Sequence, residues 1–267
     1  MFCRTQLLLL VLFITGVLPA ATAQTAPLGG RTPVLYIIGD STVRNGVKGL
    51  EGWGDAIAPY FDASRIRIVN RAIGGRSSRS YLTEGRWAAV RALLKPGDFV
   101  LMQFGHNDGG PVEHGTGRAS LKGNGSQTVT ITHAKTGKKE VVHTYGWYMR
   151  KYITDTEARG AIPIVVSPIP RNMWHGSRVN RNNRDYGLWA AEAAHQTGAW
   201  FINLNRIIAR FYNAMGPIFV KHLFPGDHTH TSPIGAALNA DCVVQGIRVL
   251  LGCPLQAYLL KEIGAKY

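Results

Sequence analysis

Five short apolar runs punctuate this chain at intervals that leave room for a helix between most of them, and this spacing constrains the fold more than any other feature. They are Val34–Ile38, Ile66–Val69, Phe99–Phe104, Ile162–Val166 and Trp200–Leu204. Each is almost continuously apolar, as strands buried on both faces are, whereas a half-solvated strand would alternate. Helical spacing lies between and beyond them, over Gly54–Phe61, Arg86–Leu94, Tyr145–Arg159, Asp185–Thr197 and Ile234–Leu251. Gly160 and Gly198 follow two of these segments directly, where a helix closes on a left-handed residue. Strands alternating with helices predict an α/β fold with a parallel sheet covered on both faces.

One stretch breaks the alternation. Gly109–Val142 holds seven glycines and little apolar periodicity, and it is too long for an ordinary connection. Within it, Thr128–His133 and Lys138–Val142 flank Ala134-Lys135-Thr136-Gly137 and read as a β-hairpin. An insertion over about 109–143 is therefore expected, either as a surface excursion or as a lid over a site.

The N-terminus reads as a leader. Arg4 precedes the apolar run Leu7–Val17, and Ala21-Thr22-Ala23 supplies small residues at a cleavage site before Gln24. The expectation is a signal peptide over 1–23 and one domain over 24–267, exported to the periplasm or the medium, with no membrane attachment after leader removal. Cys3 leaves with the leader, and Cys242 and Cys253 are expected as packed free thiols, because a continuous helix over Ile234–Leu251 would hold them too far apart to bridge. The formal net charge is +14, with no basic block longer than Lys138-Lys139 and no nucleic-acid motif. An acidic polymer is a fair partner for such a chain, and plain solubility explains the charge equally well.

In an open parallel sheet, ligands bind beyond the carboxyl ends of the strands. The residues that follow the first three runs are Gly39-Asp40-Ser41-Thr42, Asn70 to Ser77, and Gly105-His106-Asn107-Asp108; Asp227-His228-Thr229-His230 stands before the last long helix. Taken singly, these are a helix cap, a tight turn, loop hydrogen bonding, and a capped loop or a metal site built on His-x-His. Together they meet the needs of acyl transfer. A serine hydroxyl needs a base, the base needs an orienting acid, and the oxyanion needs fixed donors. Asp227 and His230 are three apart, so a carboxylate can reach Nδ1 while Nε2 faces Ser41. The Ser41 N–H, a glycine N–H from the second loop and the Asn107 amide are the candidate donors.

These blocks resemble those of the SGNH, or GDSL-like, hydrolase superfamily. Gly39-Asp40-Ser41 is similar to its serine block, Gly75 to its glycine, Gly105-His106-Asn107-Asp108 to its asparagine block and Asp227-x-x-His230 to its acid–base block. A finer resemblance, carried by Gly52-Trp53-Gly54, Gly75-Arg76-Ser77-Ser78-Arg79-Ser80-Tyr81 and Asp227 to Pro233, is to rhamnogalacturonan acetylesterases. It implies a three-layer α/β/α sandwich of flavodoxin-like order, removal of acetyl groups from pectin, and no cofactor or metal. It also implies Ser41 as nucleophile, His230 as base, Asp227 as its acid, and Gly75 with Asn107 as oxyanion donors. The long insertion departs from that family's compact pattern. Arg171 is a candidate to pair with a uronate carboxylate and Trp174 to stack on a sugar; Arg76 and Arg79 are further substrate-binding candidates. The competing readings are an esterase for xylan acetyl, lipid or thioester substrates, a metal hydrolase using Asp227, His228 and His230, and a carbohydrate-binding module.

Overall fold

The computed structural model describes residues 30–113, 117–132, 137–182 and 184–261. The chain forms strands β1 (Val34–Gly39), β2 (Arg67–Asn70), β3 (Phe99–Gln103), β4 (Thr128–Thr132), β5 (Lys139–His143), β6 (Ile162–Val166), β7 (Trp174–His175), β8 (Arg178–Val179) and β9 (Trp200–Ile202). The helices are α1 (Trp53–Ala56), α2 (Ser78–Thr83), α3 (Arg86–Leu93), α4 (Tyr145–Glu157), α5 (Tyr186–Thr197), α6 (Leu204–Lys221) and α7 (Pro233–Arg248). The five expected strands make one parallel sheet in the order β2-β1-β3-β6-β9. That order places the reversal of winding between β1 and β3, so the loops after these strands open onto a shared crevice.

Every residue of β1 and β3 is buried, which is why both read as unbroken apolar runs. Successive side chains point to opposite faces. Leu35, Ile37, Leu101, Ile164 and Val166 join Trp53, Ile208, Tyr212, Val243 and Ile247 under α1, α6 and α7. Val34, Tyr36, Ile38, Met102 and Val165 join Tyr81, Trp87, Tyr148, Tyr152 and Ala190 under α2–α5. The result is three layers, as expected.

Several boundaries differ from the sequence reading. The helix expected over Gly54–Phe61 stops at Ala56 and continues as a 3₁₀ turn over Ala58–Tyr60, because Pro59 has no N–H to give and crowds the preceding turn. The strand expected to reach Leu204 ends at Ile202, since the Asn203 side chain accepts from the N–H of Arg206 and starts α6 there. Helix α6 itself is bent at Gly216 (φ 78°, ψ 164°), which precedes Pro217, and this interruption obscures it in the sequence. Helix α2 is opened by a reciprocal cap between Ser77 and Ser80.

The insertion carries the expected hairpin, with β4 antiparallel to β5. Its turn at 133–136 lies outside the described residues, as does the leader at 1–23. Ile131 and Val142 are buried, and Leu121 bridges to Thr144, so this excursion is tied to the body. Cys242 and Cys253 are free and buried. Helix α7 ends at Arg248, however, so a continuous helix is not what keeps them apart. Among the described residues no helix is long and apolar enough to cross a membrane.

Candidate active site

The four polar clusters meet at the carboxyl edge of the sheet. Ser41 follows β1 by two residues, and its Oγ lies 2.8 Å from His230 Nε2 although 189 residues separate them. The other ring nitrogen of His230, Nδ1, lies 2.6 Å from Asp227 Oδ2. The second carboxylate oxygen accepts the backbone N–H groups of Thr229 at 2.6 Å and His230 at 2.8 Å. Partial burial opposes ionisation of Asp227, but these two N–H groups and the His230 ring outweigh it and bring its pKa down to about 2. With Nδ1–H donating to the carboxylate, Nε2 is left as a lone pair aimed at the Ser41 hydroxyl.

Below Ser41 the loop is fixed by a buried polar network. Asp40 Oδ1 accepts from Thr42 N at 2.9 Å and from Thr42 Oγ1 at 2.7 Å. Gln103 Nε2 donates to Thr42 Oγ1 at 2.6 Å, and Trp53 Nε1 donates to Gln103 Oε1 at 3.0 Å. On the other side, His106 Nδ1 meets Asp40 Oδ2 at 3.2 Å and His106 Nε2 meets the carbonyl of Ile169 at 3.1 Å. Full burial works against an Asp40 carboxylate, yet His106 and the Thr42 donors hold its pKa below the usual range. A charged, fully bonded Asp40 beneath the serine turn restricts where Ser41 can go.

The second loop brings donors alongside. Gly75 has φ +75°, a left-handed conformation that a side chain would strain. A methyl group added to Gly74 would sit 3.6 Å from Ser41 Cβ, so this turn packs directly on the serine. Among the described residues, neither the Ser41 N–H nor the Gly75 N–H donates a hydrogen bond. Asn107, two residues beyond Gly105, donates from Nδ2 to the carbonyl of Arg76 at 3.0 Å. Its second amide hydrogen remains for a ligand. Asp108, pushed up to about 6 by burial against the opposing Ser78 and Ser120 donors, ties this block to α2 and to the insertion.

The insertion supplies a residue that sequence reasoning passed over. Arg118 Nη1 donates to the carbonyl of Gly75 at 3.1 Å and to Asn107 Oδ1 at 3.4 Å, and Ser77 Oγ donates to the Arg118 carbonyl at 2.5 Å. A cation on Oδ1 fixes which way round the Asn107 amide lies, with Nδ2 on the side of the Arg76 carbonyl. No periodicity marks Arg118 in the sequence. The only hint is its place within a long segment that directly follows the asparagine block.

The four substrate-binding candidates divide. Arg79 is fully buried: Nε and Nη2 pair with Glu140 Oε1 and Oε2, both at 2.8 Å, and Nη1 donates to Ala119 O at 2.8 Å. The expectation that it contacts substrate is therefore corrected; its guanidinium fastens the hairpin to α2. Arg76 stays at the surface, paired with Glu84 at 2.9 Å. Arg171 donates to His228 Nε2 at 3.1 Å and to the carbonyl of His106 at 3.1 Å, which stitches its loop to both neighbouring site loops. Trp174 packs one side against the core and gives its N–H to Asn172 at 2.6 Å. His228 thus faces a guanidinium while His230 faces Asp227 and Ser41, so the His-x-His pair does not converge on one point.

Residues 37–238 match the GDSL-like lipase/acylhydrolase family. The chain is 33% identical over 232 residues to a rhamnogalacturonan acetylesterase of Emericella nidulans, covering 87% of this chain and 88% of that one. It is 29% identical to a probable rhamnogalacturonan acetylesterase of Bacillus subtilis, YesY, covering 85% of this chain and 98% of the relative. Among solved structures it resembles B. subtilis YxiM (TM-score 0.66, 24% identity), covering 82% of this chain but 56% of that longer one. It also resembles the acetylxylan esterase Axe2 of Geobacillus stearothermophilus (TM-score 0.54, 18% identity), covering 82% and 95%.

Proposed function

The chain belongs to the GDSL-like lipase/acylhydrolase family and is a carboxylic ester hydrolase, and from that premise we propose that it is an exported serine esterase that removes O-acetyl groups from rhamnogalacturonan. The observation that carries this reading is the continuous chain Ser41 Oγ–His230 Nε2–Asp227 at 2.8 and 2.6 Å, set beside two unspent backbone N–H groups. The named relatives support the acetylated pectic substrate, and the net charge of +14 suits a polyanion. The leader-like residues 1–23 ahead of a single domain support export.

In this reading the acetyl carbonyl enters between Ser41 and the Gly74-Gly75 turn. His230 Nε2 takes the Ser41 proton as Oγ attacks the carbonyl carbon, and Asp227 stabilises the imidazolium that forms. The carbonyl oxygen becomes an oxyanion held by the N–H groups of Ser41 and Gly75 and by Asn107 Nδ2. Each such donor is worth about 3–4 kcal/mol when placed in advance. His230 then returns the proton to the departing sugar oxygen, leaving acetyl-Ser41. A water deprotonated by His230 attacks this ester, and collapse releases acetate and restores the hydroxyl.

The test is an acetate-release screen across acetylated rhamnogalacturonan, acetylated xylan and 4-nitrophenyl acetate, run beside Ser41→Ala. The reading expects turnover of the pectic polymer and of the small ester, both lost in the variant. Release from xylan with none from pectin would overturn the substrate, and an active Ser41→Ala protein would overturn the nucleophile.

A further inference from the structure

Beside the triad lies a second concavity that the acyl-transfer chemistry does not use. It has a volume of about 60 Å³, room for several water-sized groups, and so for a carboxylate with the edge of its sugar ring. Gly105 and His106 form one wall, immediately before Asn107, and Pro168 to Arg171 form another. Arg181, Asp185 and Asn205 close it. Arg171 bonds to His228 in the Asp227–His230 loop, which ties this wall of the pocket to the loop that carries the acid and the base.

Arg181 distinguishes this pocket from ordinary surface. Its Nε donates to Asn205 Oδ1 at 2.9 Å, and Asn205 Nδ2 returns a bond to the Arg181 carbonyl at 2.9 Å. The guanidinium is thereby anchored by one edge, while its Nη1 and Nη2 have no hydrogen-bond partner among the described residues. A fork held in this way is preorganised for a planar, two-oxygen anion. Burial disfavours the Arg181 charge and the nearby Arg206 adds repulsion, an unfavourable arrangement that an anion would relieve. The opposing acid, Asp185, sits at the N-cap of α5, where burial outweighs the N–H groups of the first turn and raises its pKa above the usual carboxylate range, so its negative charge is disfavoured there.

We propose that this pocket, with Arg181 as its anchor, binds the carboxylate of a hexuronate residue neighbouring the acetylated sugar. It deepens the pectic reading of the active site and rests on it for the identity of the polymer. The pocket would then set the register of the chain, so that a bound carboxylate places the acetyl ester at Ser41. Acidic and neutral acetylated polymers would be told apart by binding and not by the acyl chemistry.

The experiment compares wild type, Arg181→Gln and Arg181→Lys on three substrates: acetylated rhamnogalacturonan, the same polymer with its carboxyl groups reduced to alcohols, and 4-nitrophenyl acetate. A charge-assisted bond of this kind is expected to make wild-type kcat/KM about 10- to 100-fold higher on the acidic polymer than on the reduced one. Arg181→Gln should erase that preference through KM, Arg181→Lys should keep part of it, and all three proteins should turn over 4-nitrophenyl acetate equally. A preference that survives in Arg181→Gln overturns the proposal, as does a wild type with no preference. Loss of small-ester turnover in Arg181→Gln would also overturn it, by showing that Arg181 acts through the fold. Calorimetric titration of trigalacturonate against a neutral galactose trimer judges the pocket even if no polymer is deacetylated: tighter binding of the acid, lost in Arg181→Gln, supports it, and equal or no binding overturns it.

Discussion

Replacing Glu140 with Gln tests whether the insertion is held to the body by a buried charge. Arg79 is wholly shielded from water, and its fork meets both oxygens of Glu140 at 2.8 Å. The amide of Gln keeps the shape and one acceptor but removes the negative charge. The guanidinium would then keep the carbonyl of Ala119 at 2.8 Å, with no anion in its bidentate site. Breaking one side of a buried pair costs about 3–5 kcal/mol. Glu140 retains 15% side-chain exposure, so water recovers part of the loss and the lower end, about 3 kcal/mol, applies. In a domain of this size that lowers Tm by about 6–12 °C. Differential scanning calorimetry on wild type, Glu140→Gln and the apolar pair Arg79→Met with Glu140→Leu would measure it. The double variant should recover most of the stability, because no buried charge is then left alone. A Glu140→Gln protein within about 0.5 kcal/mol of wild type, with KM raised on the polymer, would refute the reasoning and return Arg79 to the substrate.

Two further substitutions probe the site. Arg118→Ala should lower kcat on 4-nitrophenyl acetate about 10- to 100-fold with little change in KM, by freeing the Asn107 amide to turn; Arg118→Lys should restore part of it, and an unchanged kcat would remove Arg118 from the oxyanion geometry. Asp227→Asn should cost about 10³- to 10⁴-fold in kcat, because an amide facing Nδ1 favours the tautomer with its proton on Nε2. With its pKa at about 2, Asp227 stays ionised as pH falls through the mildly acidic range, so no acid limb of the rate profile in that range should belong to it. A limb in Ser41-dependent turnover that disappears when Asp227 is replaced by Asn, with rate retained, would contradict that assignment.

The sheet was legible because strands buried on both faces, such as β1 and β3, must be apolar throughout, and their ends then point to the loops that carry polar residues. The close approach of Ser41 to His230 was legible because the polar blocks that follow the strands converge on one edge of a parallel sheet, although Asp-x-x-His by itself also suits a capped loop or a metal site. Arg79 and Arg76 could not be separated in the same way. They are three residues apart in one polar stretch, and only the hairpin crossing α2 makes one a buried anchor and leaves the other at the surface. Arg118 and Arg181 were hidden for a related reason. Each draws its importance from an oxygen supplied by a distant segment, Gly75 and Asn107 for one, Asn205 for the other. Gln103, which braces Thr42, sits inside an apolar run where a polar atom reads as incidental, and its partner Trp53 stands between two glycines with no sign of a hydrogen-bonding role in the sequence.

The central claim is that Ser41 carries the acetyl group during turnover. Acid-quenched protein, sampled within the first turnovers on 4-nitrophenyl acetate and digested for peptide mass mapping, tests it most directly. The account predicts an acetyl adduct on the peptide containing Ser41, present in wild type, absent in Ser41→Ala and formed far more slowly in His230→Ala. Rapid hydrolysis by Ser41→Ala, or an adduct on another residue that turns over at the catalytic rate, would contradict it.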